Sequence, residues 1–111
     1  MLFILLSLFY GTLRCYPPTF HPIHKWELED KRTLILNLKE IFCSQPGRFG
    51  QTEMSHIATI SDGTNTVDFT KASGKVKLAD GRIAFVSDDN YLQIIGSTSK
   101  SYELGITSYE S

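Results

Sequence analysis

In residues 56–86, an Asp-Gly pair twice separates two short runs that are rich in Ile, Val, Phe and Thr. The pairs are Asp62-Gly63 and Asp80-Gly81. Asp-Gly between such runs is among the strongest short-range signals for a β-hairpin, because a type I′ turn requires positive φ at both central residues. The sequence therefore predicts two antiparallel hairpins, with type I′ turns at these pairs.

The predicted strands around these turns are residues 57–60 with 65–69, and residues 75–78 with 82–86. Residues 91–95 and 102–106 add two more, so the region predicts a small antiparallel sandwich or barrel of about six short strands. Lys75 to Leu78 alternates charged and apolar residues, as a half-buried strand does. The predicted core residues are Val67, Phe69, Val76, Leu78, Ile83 and Phe85.

Residues 23–42 are the best helix candidate, which makes the predicted fold mainly β with one helix before the strands. Leu34, Leu38, Ile41 and Phe42 share one face at helical spacing. The residues Leu34, Leu36 and Leu38 also alternate, so a hairpin with its turn near Asp30-Lys31 is the alternative.

The first ten residues are almost wholly apolar, with Ser7 as the polar exception. This run is shorter than the roughly 20 apolar residues that a membrane-spanning helix needs, and its length suits the apolar region of a signal peptide. No Lys or Arg precedes it, and no good small-x-small cleavage site follows. A cleaved signal with its cut near Gly11, a membrane-associating end and a buried first element therefore all stay open.

Composition changes along the chain and divides it into three predicted parts. All four prolines and both cysteines precede residue 50, and the later part is rich in Gly, Ser, Thr and Asp. We predict an apolar segment at 1–15, a Pro-containing connector with the helix at 16–53, and a β domain at 54–111. The net charge of −1 argues against a nucleic-acid partner, since dedicated binders usually carry a basic excess.

Cys15 and Cys43 are the only cysteines and could form one disulfide if the chain is exported. Together with His21 and His24, the two cysteines form the only group of potential metal ligands within one region of the sequence. This group lacks the closely spaced Cys or His pairs that are usual in a zinc site. The acids Asp62, Asp68, Asp80, Asp88 and Asp89 lack the alternate spacing of a calcium loop. No nucleophile elbow, phosphate loop or zinc-protease helix occurs. We therefore expect no metal, no cofactor and no catalytic residues.

Residues 54–69 read Met-Ser-His-Ile-Ala-Thr-Ile-Ser-Asp-Gly-Thr-Asn-Thr-Val-Asp-Phe. This stretch resembles the opening of some tailed-phage tail and virion proteins, which begin with a strand, a Ser-Asp-Gly-Thr-type turn and a second strand. The resemblance implies a non-enzymatic assembly protein that acts through β-sheet contacts between subunits, and a natural start at Met54. It carries over no catalytic or binding residue.

Two functions are therefore expected from the sequence. The first is a small structural or assembly protein of a phage tail or virion, with itself or another protein as a β-edge partner. The alternative is a small secreted or membrane-associated binding protein with the Cys15–Cys43 disulfide, in which residues 1–10 could contact a membrane.

Overall fold

A computed structural model describes residues 13–110 of the chain, with the side chains of residues 106–110 left out of the description. Within this range the protein is mainly β, and its one helical element is a short 3₁₀ turn at Lys71–Ser73. The strands are β1 Arg14–Cys15, β2 Thr19–Glu27, β3 Thr33–Ser44, β4 Gln51–Ser61, β5 Thr66–Asp68, β6 Val76–Lys77, β7 Ile83–Val86, β8 Tyr91–Ile95, β9 Lys100–Glu103 and β10 Gly105–Glu110.

The strands form two antiparallel sheets. In the first sheet, β3 and β4 are the long central pair, with β1 and β2 beside β3 and with β5 and β10 beside β4. The second sheet has the order β6-β7-β8-β9. The chain passes between the sheets twice, from β5 to β6 through residues 69–75 and from β9 to β10 through Leu104, and an isolated bridge pairs Leu28 with Leu78.

The predicted helix over residues 23–42 is wrong, because this stretch contains most of β2 and nearly all of β3. The two strands pair from Glu27↔Thr33 to Thr19↔Glu40, and the chain reverses at residues 28–32. The alternative hairpin near Asp30-Lys31 is therefore the structure. The alternation of Leu34 and Leu36 faces both residues to the core, where each is at most 3% exposed.

Two turns of the structure are copies of each other, at residues 28–32 and 78–82, where the sequence reads Leu-x-Asp-x-Arg. In each turn the Leu N–H donates to the Arg carbonyl, and the fourth residue donates back to the Leu carbonyl. Each Asp also accepts hydrogen bonds from the backbone and the Nε of its Arg. The fourth residues, Lys31 and Gly81, have φ of +77° and +96°.

The two copies meet through reciprocal backbone hydrogen bonds around the Leu28–Leu78 bridge. Glu29 N donates to Lys77 O at 3.0 Å, and Ala79 N donates to Glu27 O at 2.9 Å. Each turn thus donates one hydrogen bond to the other and accepts one from it, as two segments related by a two-fold axis would. Both leucines are at most 2% exposed, so this junction also forms part of the core.

The Asp-Gly pairs lie in turns, as predicted, but neither turn is type I′. Gly63 and Gly81 have positive φ, whereas Asp62 and Asp80 do not. At residues 78–82 a type I turn is followed by a left-handed glycine, the usual three-residue hairpin connection. At residues 62–65 the Asp62 carboxylate accepts the backbone N–H groups of Thr64 and Asn65 at 2.9 and 2.7 Å. An Asp that bonds its own loop needs no left-handed backbone.

The core lies between the two sheets. Phe69 and Leu78 are buried as predicted, and Val76 is half-buried. Val67 and Ile83 are exposed by 59% and 40%. In β7 the inward residues are Ala84 and Val86 rather than Ile83 and Phe85, since this strand is apolar on both faces and its sequence does not distinguish them. The buried core residues are Leu28, Leu34, Leu36, Ala58, Ile60, Phe69, Leu78, Ala84, Val86, Leu92 and Ile94.

The molecule is elongated, because the first sheet extends well beyond this core. Its axes measure 62 × 27 × 22 Å and its radius of gyration is 18.5 Å, against roughly 13 Å for a compact domain of this length. The core residues on β3 and β4 end at the rung of Leu36 and Ala58. We call the extension beyond that rung the arm; it comprises residues 13–22, 38–56 and 105–110.

Candidate functional site

The arm has two unequal outer edges. On one side β2 lies beside β3, and a register shift between Pro22 and His24 leaves Ile23 as a bulge. Proline, lysine and bulges are the devices that prevent an edge strand from pairing with another chain. β2 carries all three, with Pro22 and Lys25 on either side of the bulge. This edge is therefore protected.

The opposite edge is formed by β10, which pairs with β4 from Gly105↔His56 to Glu110↔Thr52. Its other side pairs with no strand in the described part of the chain. The strand contains no Pro or Lys, and its one irregularity is a register shift between Ile106 and Ser108, which leaves Thr107 unmatched. An edge of this kind presents free backbone donors and acceptors to an added strand.

The inner face of the arm continues the core face of the sheet, but no strand of the second sheet is paired or bridged to it there. Leu38 lies between His21 of β2 and His56 of β4 in the register, and all three are only partly buried or exposed. His21 Nε2 contacts Glu40 Oε1 at 3.0 Å on the next rung. The inner face thus mixes one leucine with polar side chains.

The outer face of the arm also carries apolar groups. Phe20 is 47% exposed and lies opposite Lys39, whose Nζ stands 6.0 Å from the ring centroid. The half-buried Ile41 follows two residues later on the same face of β3. A sheet with apolar side chains exposed on both faces is unusual for a surface that faces only water.

The disulfide Cys15–Cys43 fastens β1 to the end of β3, and its cysteines are separated by 28 positions in the sequence. It joins paired residues of the two strands, since Cys15 is the register partner of Cys43. β1 has only two residues, so the bond holds a strand that has few backbone contacts of its own. The Tyr16 ring then packs on Phe42 with centroids 5.7 Å apart.

Three rings form a cluster where the arm meets the core, an arrangement that the sequence analysis did not predict. His24 lies 5.7 Å from Trp26 and 5.3 Å from Tyr102, and the Trp26 and Tyr102 centroids are 5.6 Å apart. Trp26 and Tyr102 belong to different sheets and pack against the core. The cluster therefore closes the side of the core between β2 and β9.

The candidate metal ligands do not come together as a site. The two cysteines are bonded to each other, His21 contacts Glu40, and His24 packs in the aromatic cluster. Among residues 13–110, no group of three or more His, Cys, Asp or Glu side chains is arranged to hold a metal ion.

The aspartates in the turns form hydrogen bonds or ion pairs with backbone N–H groups and nearby side chains. The pKa of Asp80 is lowered by the backbone N–H of Arg82 and by its side chain, and that of Asp62 by the N–H groups of Asn65 and Thr64. The Arg32 side chain is the main cause of the lowered pKa of Asp30. Asp88 pairs with Lys71, and Asp89 accepts from the Ser87 hydroxyl.

A small pocket of about 240 Å³ lies on β4 between the strands β5 and β10. It is lined mainly by apolar groups and backbone, with Phe69, Leu104 and His56 among them. The Nδ1 atom of His56 is buried and has no hydrogen-bond partner in the described part of the structure. The side chain as a whole is only half-buried, so it offers a weak basis for a ligand site.

No protein family, curated protein or solved structure matches this chain. No helix within residues 13–110 is long and apolar enough to cross a membrane.

The arm, with its open β10 edge and exposed apolar side chains, is therefore the best candidate functional site. The repeated Leu-x-Asp-x-Arg turns were visible in the sequence, and comparison of residues 28–32 with 78–82 would have predicted the β2–β3 hairpin.

Proposed function

We propose that this protein is a small, non-enzymatic structural or assembly protein that binds a second copy of itself by adding a β-strand at β10. The observation that carries the proposal is the contrast between the two edges of the arm. Both strands are unpaired on their outer sides and each has one bulge, but β2 also carries Pro22 and Lys25, whereas β10 contains neither Pro nor Lys.

The sequence resemblance of residues 54–69 to phage tail and virion proteins supports the same function. The resemblance implies a strand, a turn and a second strand. This order matches β4, the Asp62–Asn65 turn and β5. The proposed setting is a virion or a similar assembly, in which subunits are joined through sheet edges. No catalytic, metal or cofactor role is part of the proposal.

The test is sedimentation velocity of the full chain over a wide concentration range, with proline placed at the unmatched bulge residue of each edge. Thr107→Pro removes a backbone N–H from β10 at a position with no register partner on β4. Ile23→Pro does the same on β2 and is the matched control. Circular dichroism checks that both variants retain the β fold.

We expect the wild type and Ile23→Pro to associate as concentration rises, and Thr107→Pro to stay monomeric. A wild type that remains monomeric at all concentrations would contradict the proposal. Equal association of Thr107→Pro and wild type would also contradict it, because the β10 edge would then not be the contact.

A second candidate, a secreted or membrane-associated binding protein, is favoured by the Cys15–Cys43 disulfide, since such bonds persist in oxidising compartments. Intact mass spectrometry of protein from its natural source tests it. Cleavage near Gly11 and a mass gain of two hydrogens on reduction are expected. An unprocessed chain with both thiols reduced would contradict export.

A further inference from the structure

The end of the arm that is farthest from the core has an unusual surface. We call this end the tip and define it as residues 13–16 and 42–50. Phe49 is 90% exposed, Tyr16 60%, Leu13 56% and Phe42 41%. Burying a side chain such as Phe stabilises a molecule by about 1.5–3 kcal/mol relative to leaving it in water. Several such groups at one end therefore indicate a surface that another phase or molecule covers.

The tip holds these groups on a defined backbone. Arg48 N donates to Gln45 O at 3.2 Å, and Gly47 has φ of +75°. With Pro46 before it, this is the arrangement of a type II turn, in which Pro fixes one central residue and Gly supplies the positive φ of the other. Phe49 directly follows this hydrogen-bonded turn. The Phe42 ring lies over Gly50, at a position that a Cβ would fill.

The charges of the tip have a single sign. Arg14 and Arg48 are both exposed, and residues 13–16 and 42–50 contain no Asp or Glu. The nearest acids in the register lie outside the tip: Glu40 and Glu53 in the β3–β4 ladder, and Glu110 of β10, which pairs with Thr52. Two cations beside exposed aromatic and aliphatic side chains match the interface of an anionic bilayer, where apolar groups enter the lipid and Arg contacts phosphate.

The sequence that precedes the tip is also apolar. Residues 1–10 are apolar except for Ser7, and they join the structure at Leu13, directly before β1. The disulfide keeps β1 beside Ser44 and Cys43, so the chain that follows this apolar sequence enters the described structure at the tip.

We propose that the tip docks on an anionic lipid bilayer, with Phe49 and Leu13 entering the interface and with Arg14 and Arg48 on the lipid phosphates. The first candidate function uses the edge of β10, whereas this contact uses the turn side chains. The two proposals are tested by different variants and can fail separately.

The test measures binding of the full-length protein to sedimented vesicles of phosphatidylcholine, with or without phosphatidylglycerol. Phe49→Asp and Arg48→Glu change the tip. Val67→Asp and Lys100→Glu are the matched controls, since Val67 is 59% exposed in β5 and Lys100 is an exposed cation on β9. Trp26 fluorescence and circular dichroism check that each variant is folded.

We expect binding to anionic vesicles that falls with added salt, because the phosphate contacts are screened. Phe49→Asp should weaken it about tenfold or more, which corresponds to the loss of one buried aromatic side chain. Arg48→Glu should also weaken it, and the two controls should bind as the wild type does.

Three outcomes would overturn the proposal. The first is the lack of binding to anionic vesicles. The second is unchanged binding of Phe49→Asp, which would assign the contact to residues 1–10 without the tip. The third is equal loss in Val67→Asp and Phe49→Asp, which would show that exposed apolar groups anywhere on the protein give the same effect.

Discussion

The two equivalent turns allow a paired prediction: one substitution should raise the stability of the protein, and the reverse substitution at the matching position should lower it. Lys31 and Gly81 occupy the same place in the turns at residues 28–32 and 78–82, with φ of +77° and +96°. The left-handed conformation costs an ordinary residue roughly 1–2 kcal/mol, whereas Gly adopts it freely but loses about 0.5–1 kcal/mol more backbone entropy on folding. The difference favours Gly at both positions.

Lys31→Gly should therefore stabilise the protein by about 0.5–1 kcal/mol, and Gly81→Lys should destabilise it by a similar amount. A Cβ at residue 81 would meet no atom within 4 Å, so the cost of Gly81→Lys is conformational and not steric. For a domain of this size, these free energies correspond to shifts of about 2–8 °C in the melting midpoint.

The assay is urea unfolding followed by Trp26 fluorescence, with thermal unfolding by circular dichroism as a second readout. Lys25→Gly is the control, because Lys25 is an exposed lysine in β2 without positive φ. It should lose stability, whereas Lys31→Gly should gain it. If Lys31→Gly destabilises the protein as Lys25→Gly does, the equivalence of the two turns is wrong.

Three further predictions concern the disulfide, a close contact and acid stability. Cys15→Ser with Cys43→Ser should lower the free energy of unfolding by about 3–4 kcal/mol in the chain-entropy model, as measured by urea unfolding; no change would show that the arm does not unfold with the core. Gly96→Ala should cost about 1–3 kcal/mol by the same assay, since its Cβ would lie 3.1 Å from Arg82 Cβ and 3.2 Å from Arg82 Cα; a neutral result would mean that Arg82 moves aside. The lowered pKa of Asp80 stabilises the fold above the unfolded-state pKa, and this contribution is lost as pH falls through the folded-state pKa. Asp80→Asn should thus reduce the decrease in stability below about pH 4, measured as the urea midpoint against pH, and an unchanged slope would contradict this reasoning.

The sequence predicted the turns better than it predicted the strands around them. Asp62-Gly63 and Asp80-Gly81 lie in turns because both residue types favour chain reversal in several conformations. The type of turn was wrong, since it depends on whether the Asp carboxylate bonds nearby N–H groups, as Asp62 does with Thr64 and Asn65. Such bonds are a property of the folded loop rather than of the residue pair.

The helix prediction failed because β3 is apolar on both faces beyond the core. Leu34, Leu38, Ile41 and Phe42 fit helical spacing only because Ile41 belongs to the outer face and the other three to the inner one. A strand with one solvent-exposed face would have alternated between apolar and polar residues and would have shown no helical pattern. The same two-sided apolar character in β7 misplaced Ile83 and Phe85 in the predicted core.

Of the two-sided strands, β3 is the one that also points to function. β3 and β4 continue for about seven residues past the Leu36–Ala58 rung, or about 23 Å of strand, where no residue of the core cluster lies. This length adds exposed side chains such as Phe42 without adding to the buried core. Packing of the core therefore does not require the arm. Its length, its open edge and its apolar tip are instead the features on which the proposed contacts with a second copy and with a bilayer depend.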